Sequence, residues 1–198
     1  MPKEKKNIEI EHRARFDKGK YNKLKKFLNA SAKDLGEDDK DVCFFLFPNK
    51  LVKTVNNVSK KNAKVVLKLN KIGKGSDFEE IEIPIRQEDF DKATKLFIAL
   101  ETGECMRSYQ KRHNYLYRDV ELALKWSEAW GYHLEFEIVI NDIADKENAE
   151  KKIFALAGEL GIKIMTDKEL LEFTQAAEKE YKKKQQNGNN YLIILWLA

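Results

Sequence analysis

Several segments between residues 7 and 140 alternate polar and apolar positions with a period of two, interrupted by two stretches of helical spacing, and after residue 145 the spacing is that of helices. The opening stretch "NIEIEHRARF", residues 7–16, sets the pattern. Ile8, Ile10, His12, Ala14 and Phe16 fall on one side; Glu9, Glu11, Arg13 and Arg15 fall on the other. Asp17 is placed to cap a helix carrying Tyr21, Leu24, Phe27 and Leu28 at helical spacing. That helix ends near "LGEDDKD", which reads as a turn. The segments "DVCFFLFP", "LVKTVNN", "AKVVLKLNK" and "FEEIEIPIR" read as strands, broken by Pro-Asn, Ser-Lys-Lys-Asn and the Gly-containing connection "IGKGSD". A helix over 88–100 places Phe90, Ala93, Phe97 and Leu100 on one stripe. Strands follow at "MRSYQKRHNYLY", "DVELALKW" and "YHLEFEIVI". Asp145 is placed to cap a helix with Ile153, Leu156, Ala157 and Leu160 on its apolar face, stopped by Gly161. In the last helix, Thr166 and Glu169 have capping-box spacing.

Eight strands in two groups, joined mostly by short connections, suit antiparallel neighbours, and eight such strands can close into a barrel without edges. The expected fold is therefore α+β: an eight-stranded antiparallel closed β-barrel with helices packed outside and a C-terminal helical segment. Residues 1–184 form one domain on this reading, and 185–198 form a flexible tail with a short apolar end.

Composition narrows the picture. The 37 basic and 33 acidic residues nearly balance, for a net charge of +4, which argues against a general nucleic-acid binder. Cys43 and Cys105 have no metal-ligand or redox spacing and read as free thiols in a reducing compartment. The charged N-terminus lacks a signal-peptide core, and the apolar run at 191–198 is far shorter than the roughly 20 residues of a membrane span. A cytoplasmic protein is expected, with self-association as a homodimer left open.

The charges alternate strand by strand. Glu9 and Glu11, Glu80 and Glu82, and Glu135 and Glu137 each pair at i, i+2, while Lys68 sits between Leu67 and Leu69. One wet sheet face is ordinary. Three strands with paired acids, facing inward in a closed barrel, are a different matter, because buried charge is costly unless paired or metal-bound. Carboxylates suit Mg²⁺ or Mn²⁺, and interleaved Arg and Lys suit phosphate oxygens. Together they point to a metal–polyphosphate complex.

The ordered set resembles a known family. "EIEHR" is similar to the ExExK signature of the CYTH proteins, also called triphosphate tunnel metalloenzymes, which include class IV adenylyl cyclases, thiamine triphosphatases and inorganic triphosphatases. "VVLKLNK", "FEEIEIPI", "YQKRHNY" and "WGYHLEFE" are similar to its later strands, in order, over about residues 7–140. The resemblance implies a metal-dependent phosphoryl-transfer enzyme, acting on a triphosphate-containing small molecule by triphosphatase-type hydrolysis. Adenylyl cyclase activity and non-catalytic polyphosphate or nucleotide binding are the alternatives, and an interaction module built on the C-terminal helix and tail is another. By position, Glu9 and Glu11 would hold the metal with Glu135 and Glu137. Arg13, Lys53, Lys68 and Arg112 would grip phosphate, with Glu80 and Glu82 completing the inner wall. Glu9, Glu11, Lys68 and Arg112 would carry catalysis.

The sequence departs from the family pattern at four places. The ExExK lysine is Arg13, a second basic position is Val55, an arginine is Phe78, and an aspartate six residues before Gly131 is Lys125. His12 falls on the apolar side of its strand, His113 lies off the Arg112 face, and His133 reads as a rim residue.

Overall fold

The computed structural model describes residues 8–47, 50–69, 75–100 and 105–187. The strands are β1 (Ile8–Arg15), β2 (Lys33–Glu37), β3 (Lys40–Leu46), β4 (Leu51–Asn57), β5 (Asn62–Lys68), β6 (Asp77–Ile85), β7 (Cys105–Tyr117), β8 (Val120–Ser127) and β9 (Gly131–Ile140). The helices are α1 (Lys18–Ser31), α2 (Phe90–Ala99), α3 (Lys146–Glu159) and α4 (Asp167–Asn187).

Eight strands close into an antiparallel barrel in the order β7-β3-β4-β5-β6-β1-β9-β8, and β8 pairs back onto β7. The length of β7 makes the closure: Cys105–Gln110 pairs with β3 and Gln110–Tyr117 with β8. β2 is the ninth strand, outside the ring, running along β7 in line with β3. Its residues lie within the segment read from the sequence as a helix end and turn. The strand is nearly all exposed, so it carries no apolar alternation that could announce it.

The outward faces carry the core. Ile8, Ile10 and Ala14 of β1 pack with Leu122 and Leu124 of β8, Leu134 and Phe136 of β9, Leu24 and Leu28 of α1, and Ile153 and Leu156 of α3. On the other side, Phe97 of α2 covers Cys43, Phe45 and Val52. The directions expected of β1 therefore hold: Ile8 and Ile10 face outward, and Glu9 and Glu11 face the lumen.

Local chemistry fixes several ends. The Lys20 N–H donates to Asp17 Oδ1 at 2.7 Å. Thr166 and Glu169 exchange capping-box bonds, at 2.8 Å from Thr166 N–H and 3.2 Å from Glu169 N–H. Gly161, at φ +61°, ends α3 in a conformation that disfavours other residues. Asp145 precedes α3 but makes no side-chain cap; Asp142 caps the preceding 3₁₀ turn instead. α4 continues through Asn187, so the expected linker begins later than Gln185. The tail from 188 and residues 72–74 of the Gly-containing connection lie outside the described residues. No described helix is long and apolar enough to cross a membrane.

Candidate active site

The pleat sends alternate side chains of every barrel strand into one cavity of about 630 Å³. Glu9, Glu11, Arg13, Lys53, Lys68, Glu80, Glu82, Arg112, Glu135 and Glu137, all expected from the sequence, line it. Register sets their neighbours. Glu11 stands opposite Glu137, and Arg13 opposite Glu135. Glu121 stands opposite Glu137 from the other side, and Lys125 opposite Arg112.

Two groups of charges result. In the first, the Lys68 ammonium lies 3.1 Å from Glu9, 3.0 Å from Glu11 and 2.5 Å from Glu80. Arg13 also pairs with Glu11. Burial works against the Lys68 charge, yet the three carboxylates raise its pKa above that of an ordinary lysine. Burial likewise opposes ionisation of Glu80, but Lys53 and Lys68 draw its pKa down to about 2. Glu137 has the opposite fate. Burial, with Glu9 and Glu11 close by, pushes it up to about 8, and the Arg112 guanidinium stands 4.0 Å away. Glu9 is also raised, first by burial.

In the second group, Glu135 accepts from Lys125 at 2.9 Å and Arg13 at 3.1 Å on one oxygen, and from Arg112 at 3.4 Å on the other. Asp38, buried, is held by Lys40 (2.8 Å), Lys60 (3.2 Å), Arg112 (3.3 Å), Asn57 (2.5 Å) and Asn114 (3.2 Å). Burial lowers both Lys125 and Lys40 to about 8. His133 is buried beside Lys125 and depressed to about 3, hence neutral at pH 7. It belongs to the lumen wall rather than the rim.

Glu82 sits at a mouth, half-exposed and paired with Lys64. Buried Val42, Val55 and Val66, with Phe44 against them, make an apolar band on β3, β4 and β5. Thr174, Ala177 and Glu178 of α4 line the cavity, and Phe173 packs edge-on against Trp130. α4 thus closes one end. Outside the barrel, His12 lies against Phe154 and 3.6 Å from Glu150, and His113 bonds Asp34.

Two features of the lumen are incomplete without a ligand. Arg13 Nη1 is buried and has no hydrogen-bond partner among the described residues. The acids around Glu137 are short of positive charge. As hard oxygen donors, Glu9, Glu11 and Glu137 fit a divalent cation in chemistry. Among the described residues no three metal-ligating side chains converge on one point in this arrangement.

The CYTH domain model matches residues 7–169. The chain belongs to the CYTH domain family. Solved structures similar to this CYTH chain include the PH1012 protein of Pyrococcus horikoshii OT3, at 26% identity and TM-score 0.64, covering 78% of this chain and 91% of that one. A putative adenylate cyclase of Vibrio parahaemolyticus shares the fold at 15% identity and TM-score 0.61, covering 83% and 92%. So does a putative adenylyl cyclase of Hippeastrum with a dominant triphosphatase activity, at 19% identity and TM-score 0.56, covering 80% and 89%. No curated protein matches the chain.

Several residues of the CYTH lumen escaped the sequence pattern. Asp38 and Lys40 lie in "LGEDDKD", which the pattern assigned to a turn. The signal was present one step further on: Lys40, Val42 and Phe44 share a parity, and all three face inward. Asn57 and Asn114 follow the inward parity of β4 and β7, but their amides carry no charge to mark them.

Proposed function

We propose that this CYTH protein hydrolyses a triphosphate with the help of Mg²⁺ or Mn²⁺. The supporting observation is a closed lumen holding both carboxylates short of positive charge around Glu137 and, on Arg13, a guanidinium nitrogen with no partner among the described residues. A metal–polyphosphate complex supplies what each lacks.

Glu9, Glu11 and Glu137 would hold the cation. Bound there, it would supply Lewis-acid stabilisation and lower the pKa of a water nucleophile. Arg13, Lys53, Lys68 and Arg112 bind phosphate oxygens, and their burial strengthens each contact relative to water. Lys68 holds Glu9, Glu11 and Glu80 together on the lumen wall. The barrel wall and α4 limit bulk water. The apolar band of Val42, Val55 and Phe44 offers a surface to an organic group on the substrate.

The test is an assay of ATP, thiamine triphosphate and inorganic tripolyphosphate, each with Mg²⁺ or Mn²⁺. It compares the wild type with Glu9→Ala and Lys68→Ala. Metal-dependent phosphate release, reduced at least about a hundredfold in both variants, is expected. Cyclic AMP as the main product from ATP would replace hydrolysis by cyclisation. Tight binding without turnover would make the protein a binder.

A further inference from the structure

Helix α1 is one-sided in charge. Its 14 residues, "KGKYNKLKKFLNAS", hold five lysines and no acid. The whole chain has a net charge of only +4, so everything outside α1 sums to −1. On α3 and α4, Lys151 pairs with Glu147, Lys168 with Glu172 and Lys184 with Glu180, each four residues apart. No such pair can form within α1. Lys18, Lys23 and Lys26 are exposed, and none of the three pairs with an acid elsewhere among the described residues.

Between α1 and the end of α3 lies a groove of about 260 Å³, lined by Lys20, Lys23, Leu24, Phe27, Glu159 and Leu160. Leu24 anchors α1 in the core, while Phe27 stays 38% exposed and stands edge-on to Tyr117 at 5.6 Å. Lys20, Lys23 and Lys26 follow at i, i+3, i+6 and so form a row along this flank of α1. Lys20 donates to the Leu160 carbonyl at 2.8 Å, which ties α1 to the end of α3. Glu159 is held by Arg118 at 2.6 Å and by the Tyr117 hydroxyl at 3.3 Å. None of these residues lines the tunnel, so the groove is separate from the candidate active site.

We propose that the α1–α3 groove docks an acidic protein segment, which seats one aromatic or large aliphatic side chain against Leu24, Phe27 and Leu160 while its flanking carboxylates meet Lys23 and Lys26. The groove has room for one such side chain, and a half-exposed aromatic beside charges is a common anchor of interfaces. The unpaired lysines steer the segment in, and the apolar contact holds it. Other anions fit less well. A nucleic-acid backbone has no apolar group to place against Phe27, and its phosphates favour the planar fork of arginine, of which α1 has none. A membrane would need a broad apolar face to receive, but Leu24 and Leu28 are buried in the core. The docking surface is independent of the triphosphate chemistry in the tunnel.

The probe is a short fluorescent peptide with aspartates on both sides of one phenylalanine, titrated into the full chain at low ionic strength and read by fluorescence anisotropy. Binding with a Kd of about 10–100 μM is expected, weakening as salt is added. Exchanging the peptide's phenylalanine for alanine tests the groove without altering the protein, and should weaken binding at least about fivefold. Lys23→Glu with Lys26→Glu, at two exposed positions, should weaken it at least about tenfold with circular dichroism unchanged, and Lys23→Arg with Lys26→Arg should restore it. Absence of peptide binding would overturn the proposal. So would equal affinity for the alanine peptide, because the groove would then take no side chain. Undiminished binding by the glutamate variant would place the peptide elsewhere, the cationic tunnel included, and refute the docking surface. Tighter binding of a uridine oligonucleotide or of phosphatidylserine vesicles, lost in the glutamate variant, would put a phosphate polymer or a membrane in place of the acidic segment and overturn it equally. Should the glutamate variant fail to fold, the alanine peptide still decides.

Discussion

Glu137→Gln is expected to stabilise the ligand-free protein, although it removes a charge from a wall lined with ions. The carboxyl keeps its proton up to about pH 8 in the folded chain, against an ordinary value of 4.5. Burial is the first cause, and Glu9 and Glu11 add to it. With a raised folded pKa the group favours folding below 4.5, and that advantage is lost as pH rises to about 8. A tenfold change in proton affinity is worth about 1.36 kcal/mol, so the ceiling is about 5 kcal/mol above pH 8. The Glu137 side chain is 18% exposed, and its acid neighbours adjust their own protonation, so about 2–3 kcal/mol is the expected gain. Glutamine keeps the shape and can donate to Glu9 or Glu11 where the carboxylate repels them. Arg112 retains Asp38 and Glu135. The assay is urea unfolding of both proteins at pH 5 and pH 8.5. The difference should be within about 0.7 kcal/mol at pH 5 and open fully at pH 8.5. Mn²⁺ should raise the wild-type Tm and leave that of the variant nearly unchanged. A variant no more stable than wild type at pH 8.5 would show that the acid cluster is already balanced, and the case for a metal there would collapse.

Other perturbations probe the remaining bonds. Lys68→Met leaves Glu9, Glu11 and Glu80 without their shared ammonium and should cost about 3–5 kcal/mol at pH 7, with Mn²⁺ raising its Tm more than that of the wild type. A loss below about 1 kcal/mol by urea unfolding would contradict a buried, paired Lys68. Asp38→Asn sets Lys40 and Arg112 against each other and should cost a similar 3–5 kcal/mol at pH 7. Burial opposes the Asp38 charge, but Lys40 and Arg112 hold its pKa well below the ordinary 3.8. Its stabilisation is therefore present above pH 3.8 and lost as pH falls further, so unfolding curves of the two proteins should converge in acid. Gly161→Ala places a side chain at φ +61°, with the new Cβ at ordinary contact distance from Lys20. It should lower stability by about 1–2 kcal/mol without changing Mn²⁺ binding, measured in the same titrations.

The sequence by itself determined which residues share a face. Period-two alternation put Glu9, Glu11 and Arg13 opposite Ile8 and Ile10, because a strand cannot turn one of these sets without turning the other. The same parity placed Lys68, Glu80, Glu135 and Glu137 on the lumen side before any strand was paired. Tertiary structure alone decided what those charges do to one another. Closure through β7 and the β1–β9 register set Glu11 opposite Glu137 and Arg13 opposite Glu135. Near neighbours on different strands are far apart in the chain, so no local pattern carries their pairing. That register separates Glu137, crowded by other acids with Arg112 at 4.0 Å, from Glu135, held by three cations, although only Phe136 stands between them in "EFE". It also turned Lys125 from a departure at one strand position into a charge fixed against Glu135. Asp38 and Lys40 gained their meaning in the same way, since only the barrel brings them to Arg112 and Asn114.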